Sequence, residues 1–200
     1  MCFLSFLYNA IIIKGNILLY IVTALKSEAQ AFVDKYKLPA TKLSRFKVFA
    51  NDTMMLIVSG IGVENSAHAT QTLINHYDIT DEDIYLNIGI CGASKNYELG
   101  QLLEIGSLNY QNKNNSLENN SSLNLTCLNE EAKDNTYEIV DMESFGFYNA
   151  VIHSPAIKKF HILKVVSDHF EPQQVTKETT KSLIFNQIDA INLILKQKAH

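Results

Sequence analysis

The chain has 200 residues, 46% of them hydrophobic, which suits one domain with a good-sized core. Its net charge of −4 and pI of about 5.8, with no basic run or stripe, argue against nucleic acid as a partner. Of the 17 basic residues only Arg45 is arginine, so one chain cannot build the arginine cluster that usually grips phosphate or carboxylate.

Residues 1–19 are largely apolar but are interrupted by Lys14, Gly15 and Asn16. Without a basic leader or a small-residue cleavage site, the stretch reads as neither a signal peptide nor a membrane span. The expectation is an N-terminal extension over 1–16 and a single domain over 17–200, with no membrane partner. Cysteines at positions 2, 91 and 127 have neither metal-ligand nor disulfide spacing, which fits a reducing cytoplasm; no metal or other cofactor is expected.

Along the chain the pattern predicts strand 17–24, helix 27–37, strands 46–50 and 54–59, helix 64–77 and strand 84–89. Strand-like segments near 101–109 and 123–128 follow, then strand 137–141, helix 143–153, strand 160–166 and helix 176–196. In the 64–77 helix Ala67, Thr70, Leu73, Ile74 and Tyr77 share a face. In the last helix Leu183, Ile184, Ile188, Ile191 and Leu195 do so. Both stripes read as core. The Asn- and Ser-rich stretch 111–124 has no apolar pattern and reads as a loop. Strands alternating with helices predict an α/β sandwich around a mixed, mostly parallel sheet.

Five of the apolar runs stop at a carboxylate or a glycine pair: Glu28, Gly60 and Gly62, Gly89 and Gly92, Asp141 and Glu143, and Asp168. In an open α/β sheet, the strand C-terminal ends are where ligands bind. Each feature also has an ordinary explanation. Glu28 and Glu143 sit where a helix begins and an acid favours the dipole, and Asp168 suits a loop cap. Cys91, in a glycine turn with no His or Lys beside it in sequence, reads as packing rather than as a nucleophile.

The segments Ala24-Leu25-Lys26-Ser27-Glu28, Ser59-Gly60-Ile61-Gly62, Asn87-Ile88-Gly89-Ile90-Cys91-Gly92-Ala93, Asp141-Met142-Glu143-Ser144 and Ser167-Asp168 occur in that order, each after a strand. Together they resemble the purine nucleoside phosphorylase superfamily, in particular its 5′-methylthioadenosine/S-adenosylhomocysteine nucleosidases. The resemblance implies a three-layer nucleoside phosphorylase-like fold, a homodimer, a role in methionine salvage and a purine nucleoside as substrate. It implies that Asp168 protonates the purine, that Glu28 orients or deprotonates the attacking water, and that Glu143 accepts the ribose hydroxyls beside Met142. Ile61, Ile90, Cys91, Ser167 and Lys164 complete the implied substrate site.

The chain departs from the family pattern in having Lys164 for an arginine, Ile90 for a serine, and a shortened stretch between Gly106 and Asp141. Thr126-Cys127-Leu128-Asn129 is a candidate for a reduced base wall. Lys164 is expected to pair with Glu28. Hydrolysis is the leading expectation, phosphate-dependent cleavage the alternative, and a nucleoside-binding protein without turnover the third.

Overall fold

The computed structural model describes residues 18–197. In chain order it contains β1 (Leu19–Thr23), α1 (Lys26–Tyr36), β2 (Ala40–Leu43), β3 (Phe46–Ala50), β4 (Met54–Val58), α2 (Val63–His76) and β5 (Ile84–Ala93). Then come β6 (Leu102–Glu104), β7 (Ser107–Tyr110), β8 (Lys113–Ser116), β9 (Asn124–Cys127), β10 (Ile139–Asp141), α3 (Ser144–Ile152), β11 (Lys159–Asp168) and α4 (Lys177–Gln197). The strands form one mixed sheet, covered by a pair of helices on each face.

The centre of the sheet is parallel, β4-β1-β5-β11; β3, β6 and β10 join it antiparallel, and beyond β10 the strands β9 and β7 run parallel to it. The central strands are near-continuous apolar runs because both of their faces are covered. On one face α1 and α4 bury Phe32, Ile184, Ile188 and Ile191 against Ile21, Leu56 and Leu86. On the other, α2 and α3 bury Ala69, Leu73 and Phe147 against Tyr20, Val22 and Tyr85. A fully buried Leu, Ile or Phe contributes roughly 1.5–3 kcal/mol relative to exposure, so these two clusters are the main source of stability. The three-layer α/β architecture expected from the sequence is the one observed.

Four details differ from the sequence reading. β2 was not expected; it is a mostly exposed strand pairing only with β3, so it carries no apolar run. The 111–124 stretch contains β8, joined to β7 by a two-residue turn in which Gln111 and Asn112 have φ of 49° and 62°. That left-handed pair matches the twist of a hairpin, and Asn tolerates it. On α2 the buried face is Ser66, Ala69, Thr70 and Leu73, turned slightly from the expected stripe, with Ala67 half-buried. Finally, Gly60 and Gly62 do form a turn with φ of 90° and 103°, but Gly89 and Gly92 do not: β5 runs straight through them to Ala93. The expected extension 1–16 lies outside the described residues.

Candidate active site

The C-terminal half of β5 organises the site. Gly92 is in register with Val140 of antiparallel β10 and with Asp168 of parallel β11, and β11 shifts register between Val166 and Asp168. The ends of two strands running in opposite senses therefore converge on one residue of a third. That convergence carries Asp141 and Asp168 to the same sheet edge, as strand ends in α/β sheets do.

Glu28, in the first turn of α1, is 2% exposed. Its Oε2 accepts the N–H groups of Ala24 and Leu25 at 2.9 and 2.8 Å, and its Oε1 accepts that of Ile90 at 2.9 Å. The bond from Leu25 caps the helix, so the structural role considered for this residue is real. The bond from Ile90 reaches across to β5 and is not needed for capping. Close approach is possible because residue 89 is glycine: a Cβ there would lie 2.8 Å from Glu28 Oε1. Burial raises the proton affinity of Glu28 above that of an ordinary carboxyl, against the opposing pull of the backbone N–H groups and Lys164.

Glu143 precedes α3 and is 9% exposed; its Oε1 accepts the Gly62 N–H at 3.0 Å. The meeting depends on α2 and α3 touching at their N-terminal ends. A Cβ at Gly146 would lie 2.0 Å from the Val63 carbonyl, so only glycine allows this contact. Burial first, and Asp141 second, push the Glu143 carboxyl up to about 7, with Lys164 and Gly62 acting in the other direction.

Lys164 is fully buried in mid-β11 and pairs not with Glu28, as expected, but with Asp141, Nζ to Oδ2 at 2.8 Å. The reason is topological: β10 and β11 flank the same end of β5, so the Asp141 side chain reaches the ammonium directly. Burial works against the Lys164 charge, but Asp141, Glu143 and Glu28 together more than offset it and raise its proton affinity.

Asp168, half-buried, accepts the Ser167 hydroxyl on Oδ2 at 2.6 Å and the Glu171 N–H on Oδ1 at 2.9 Å. The Ser167 hydroxyl has a second acceptor, the Cys91 carbonyl at 3.1 Å. His169 Nδ1 lies 2.9 Å from the Ala93 carbonyl, tying the following loop to the end of β5. Cys91 is 3% exposed, and burial pushes its thiol well above the ordinary range, which suits a packing role.

One cavity of about 250 Å³ brings these groups together. Glu28, Ile61, Ile90, Cys91, Met142, Glu143, Ser167 and Asp168 all line it, whereas Lys164 does not and sits behind Asp141. Several wall residues had no site role assigned from the sequence, among them three acidic or aromatic components. Asp141 lines the cavity, as does Phe170, buried and held at φ 64°. The Glu130–Glu131 pair at its mouth is the third. An aromatic residue two positions after the candidate acid was the available signal for Phe170. Leu128, from the suspected base wall, is also in the lining, fixed by its N–H to the Asp141 carbonyl at 2.8 Å. Among the described residues, no group of three His, Cys, Asp or Glu side chains is arranged to hold a metal ion, and no helix is long and apolar enough to cross a membrane.

The architecture is that of the nucleoside phosphorylase-like α/β proteins. Among solved structures it is similar to 5′-methylthioadenosine/S-adenosylhomocysteine nucleosidase from Neisseria meningitidis in complex with methylthio-immucillin-A. The TM-score is 0.72 at 16% identity, over 90% of this chain and 99% of that one. The Arabidopsis thaliana 5′-methylthioadenosine nucleosidase gives 0.72 at 17% identity, over 90% and 97% of the two chains. A mutant Helicobacter pylori nucleosidase with 5′-methylthioadenosine in its active site gives 0.73 at 10% identity, over 92% and 100%. No family model and no curated protein matches the sequence. The chain thus has the fold of these nucleosidases while being far from them in sequence.

Proposed function

We propose that the chain is a purine nucleoside N-glycosidase, hydrolysing the base–ribose bond of an adenosine-type nucleoside such as a 5′-alkylthioadenosine. The observation that carries the reading is the chemistry of the cavity wall. Among the described residues, six carboxylates line it (Glu28, Glu130, Glu131, Asp141, Glu143 and Asp168) and no lysine or arginine does. As the glycosidic bond breaks, C1′ gains positive charge, which the ionised members of this set stabilise most at the transition state. The likeness in fold to nucleosidases, whose structures hold methylthioadenosine and its analogues, supports the same reading.

In this mechanism Asp168 donates a proton to the departing purine, converting an anionic leaving group into a neutral one. Such general acid catalysis contributes about 10²–10⁴-fold. Its Ser167 neighbour suits that role, because when Asp168 carries the proton the hydroxyl turns to the Cys91 carbonyl instead. Glu28 takes a proton from the attacking water, helped by the raised proton affinity that burial gives it. Glu143 uses the oxygen not bonded to Gly62 to accept the ribose hydroxyls, and Met142 packs on the sugar.

Water is favoured over phosphate as acceptor on charge grounds. A phosphate dianion in this cavity would face several carboxylates, and the buried ammonium of Lys164 is already paired. We further propose that the protein works as a cytoplasmic homodimer, testable by sedimentation. The function is tested by incubating purified protein with 5′-methylthioadenosine with and without phosphate. Free adenine with the unphosphorylated sugar, at a rate indifferent to phosphate, is expected; a sugar 1-phosphate made only with phosphate present would reverse the choice of acceptor.

A further inference from the structure

We propose that Asp141 is a positioning residue: it captures the Lys164 ammonium and so leaves the Glu28 carboxylate to backbone donors alone, able to take a proton from water. The inference rests on the nucleosidase reading above and deepens it.

Lys164 faces three carboxylates from three elements: Asp141 at the end of β10, Glu143 at the start of α3 and Glu28 in α1. Whichever carboxylate holds the ammonium loses proton affinity, because an opposite charge at contact favours the ionised form. For a base that must accept a proton, such pairing is a handicap. Lys164 has the means to make it. In the sheet it lies in register with Gly89, the residue against which Glu28 Oε1 packs, and lysine is a flexible stem with three donors. Asp141 intercepts it at 2.8 Å.

The interception is built rigidly. The side chains of Asp141 and Lys164 are each 1% exposed, so the pair is shielded from bulk solvent. The Asp141 oxygen that meets Lys164 also accepts the Ser144 N–H at 2.9 Å and the Ser144 hydroxyl at 2.5 Å. Its main chain is fixed from the β9 side, by pairing with Cys127 and by the Leu128 N–H on its carbonyl. Asp141 therefore cannot follow Lys164 toward Glu28; Lys164 must stay with Asp141.

Among the described residues, the surroundings of Glu28 give no other cation this role. From β11 it meets Lys164 and from the start of α3 Glu143, while Cys91 of β5, in the same cavity wall, is a neutral thiol. β1 and β4 bring no charged side chain to α1, and Tyr20 of β1 belongs to the cluster on the opposite face. From α4, Lys181 is engaged with Asp34 in the last turn of α1. Burial and the backbone N–H groups set most of the proton affinity of Glu28, and Lys164 is the one described cation that draws on it further.

The test compares wild type, Asp141→Asn and Asp141→Glu by the pH dependence of kcat, with melting curves to establish folding. Asn keeps an acceptor for Ser144 but drops the charge, so Lys164 turns to Glu28. The expected result is a kcat lowered at least about 10-fold at neutral pH, KM within about 3-fold, and the acidic limb moved about one pH unit lower. Asp141→Glu keeps the charge and is expected to leave that limb where it is. If Asp141→Asn does not fold, Asp141→Ser, which also drops the charge and keeps an acceptor, takes its place with the same two outcomes, and a downward-moved limb in Asp141→Glu contradicts the proposal. A folded Asp141→Asn with the wild-type limb, whether or not kcat falls, overturns the proposal and leaves Asp141 merely structural. If the wild type releases no base at all, the nucleosidase reading falls and this inference with it. An active wild type beside an unshifted Asp141→Asn removes the inference alone.

Discussion

At Glu143 the requirements of the site and of the fold pull against each other. Its carboxyl is raised from 4.5 to about 7, first by burial and then by Asp141. A group whose proton affinity is raised by folding contributes stability that is complete below its unfolded pKa and is lost as pH rises through the folded value. Between about pH 4.5 and pH 7 this residue therefore weakens the fold progressively, by an amount on the order of 3 kcal/mol. Glu143→Gln is expected to melt higher than wild type at pH 8, by about 1–3 kcal/mol in stability, and to lose that advantage near pH 4.5. Turnover by the same variant falls, since a charged acceptor for the sugar is gone. Melting curves that shift equally at both pH values would contradict the assignment of the charge to Glu143. Glu28 is also raised by burial, but there the hydrogen bonds outweigh the charge, because its two oxygens serve three backbone N–H groups. A glutamine offers one acceptor oxygen, so Glu28→Gln should lose both activity and about 1–3 kcal/mol of stability, measurable by denaturant titration alongside kcat.

Among the elements, β5 is the one on which the site depends. Gly89 has ordinary extended geometry, so alanine is acceptable to the backbone there, but its Cβ would press on Glu28 Oε1. Gly89→Ala is expected to cut kcat about 10-fold or more while costing about 1–3 kcal/mol of stability. A variant as active as wild type would show that the close packing of Glu28 on β5 has no catalytic consequence. This same strand marks the limit of the sequence reading. A glycine inside an apolar run signals either a turn or a close approach, and the deciding neighbours, Glu28 and Val140, lie on other elements. The runs that end in Glu28, Asp141 and Asp168 were legible because burial writes apolar periodicity and a carboxylate at its edge breaks it. The partner of Lys164 was not legible, since it depends on β10 joining β5 antiparallel, which no local pattern specifies. β2 and β8 were hidden for a related reason: marginal, mostly exposed strands need no apolar code.

For the molecule as a whole, two helix pairs clamp one sheet and leave the strand ends of β1, β5, β10 and β11 to form the cavity. The start of the described domain is anchored from within. The Leu18 N–H meets Asp83 Oδ1 at 3.0 Å, and the Leu18 carbonyl accepts the Ile84 N–H at 3.1 Å. We therefore propose that a protein shortened to begin at Asn16 keeps the melting temperature and kcat of the full chain; precipitation or a large loss of either would show that residues 1–15 belong to the core or to an interface. The proposed chemistry is acid-assisted cleavage of a purine nucleoside by water. Its most direct test is adenine release from 5′-methylthioadenosine, without phosphate, by wild type and Asp168→Asn at equal concentrations of folded protein. Release by the wild type is expected, with a rate lower by about 10²–10⁴-fold in the variant and melting little changed. A folded wild type that releases no adenine, or a variant as fast as wild type, would contradict it.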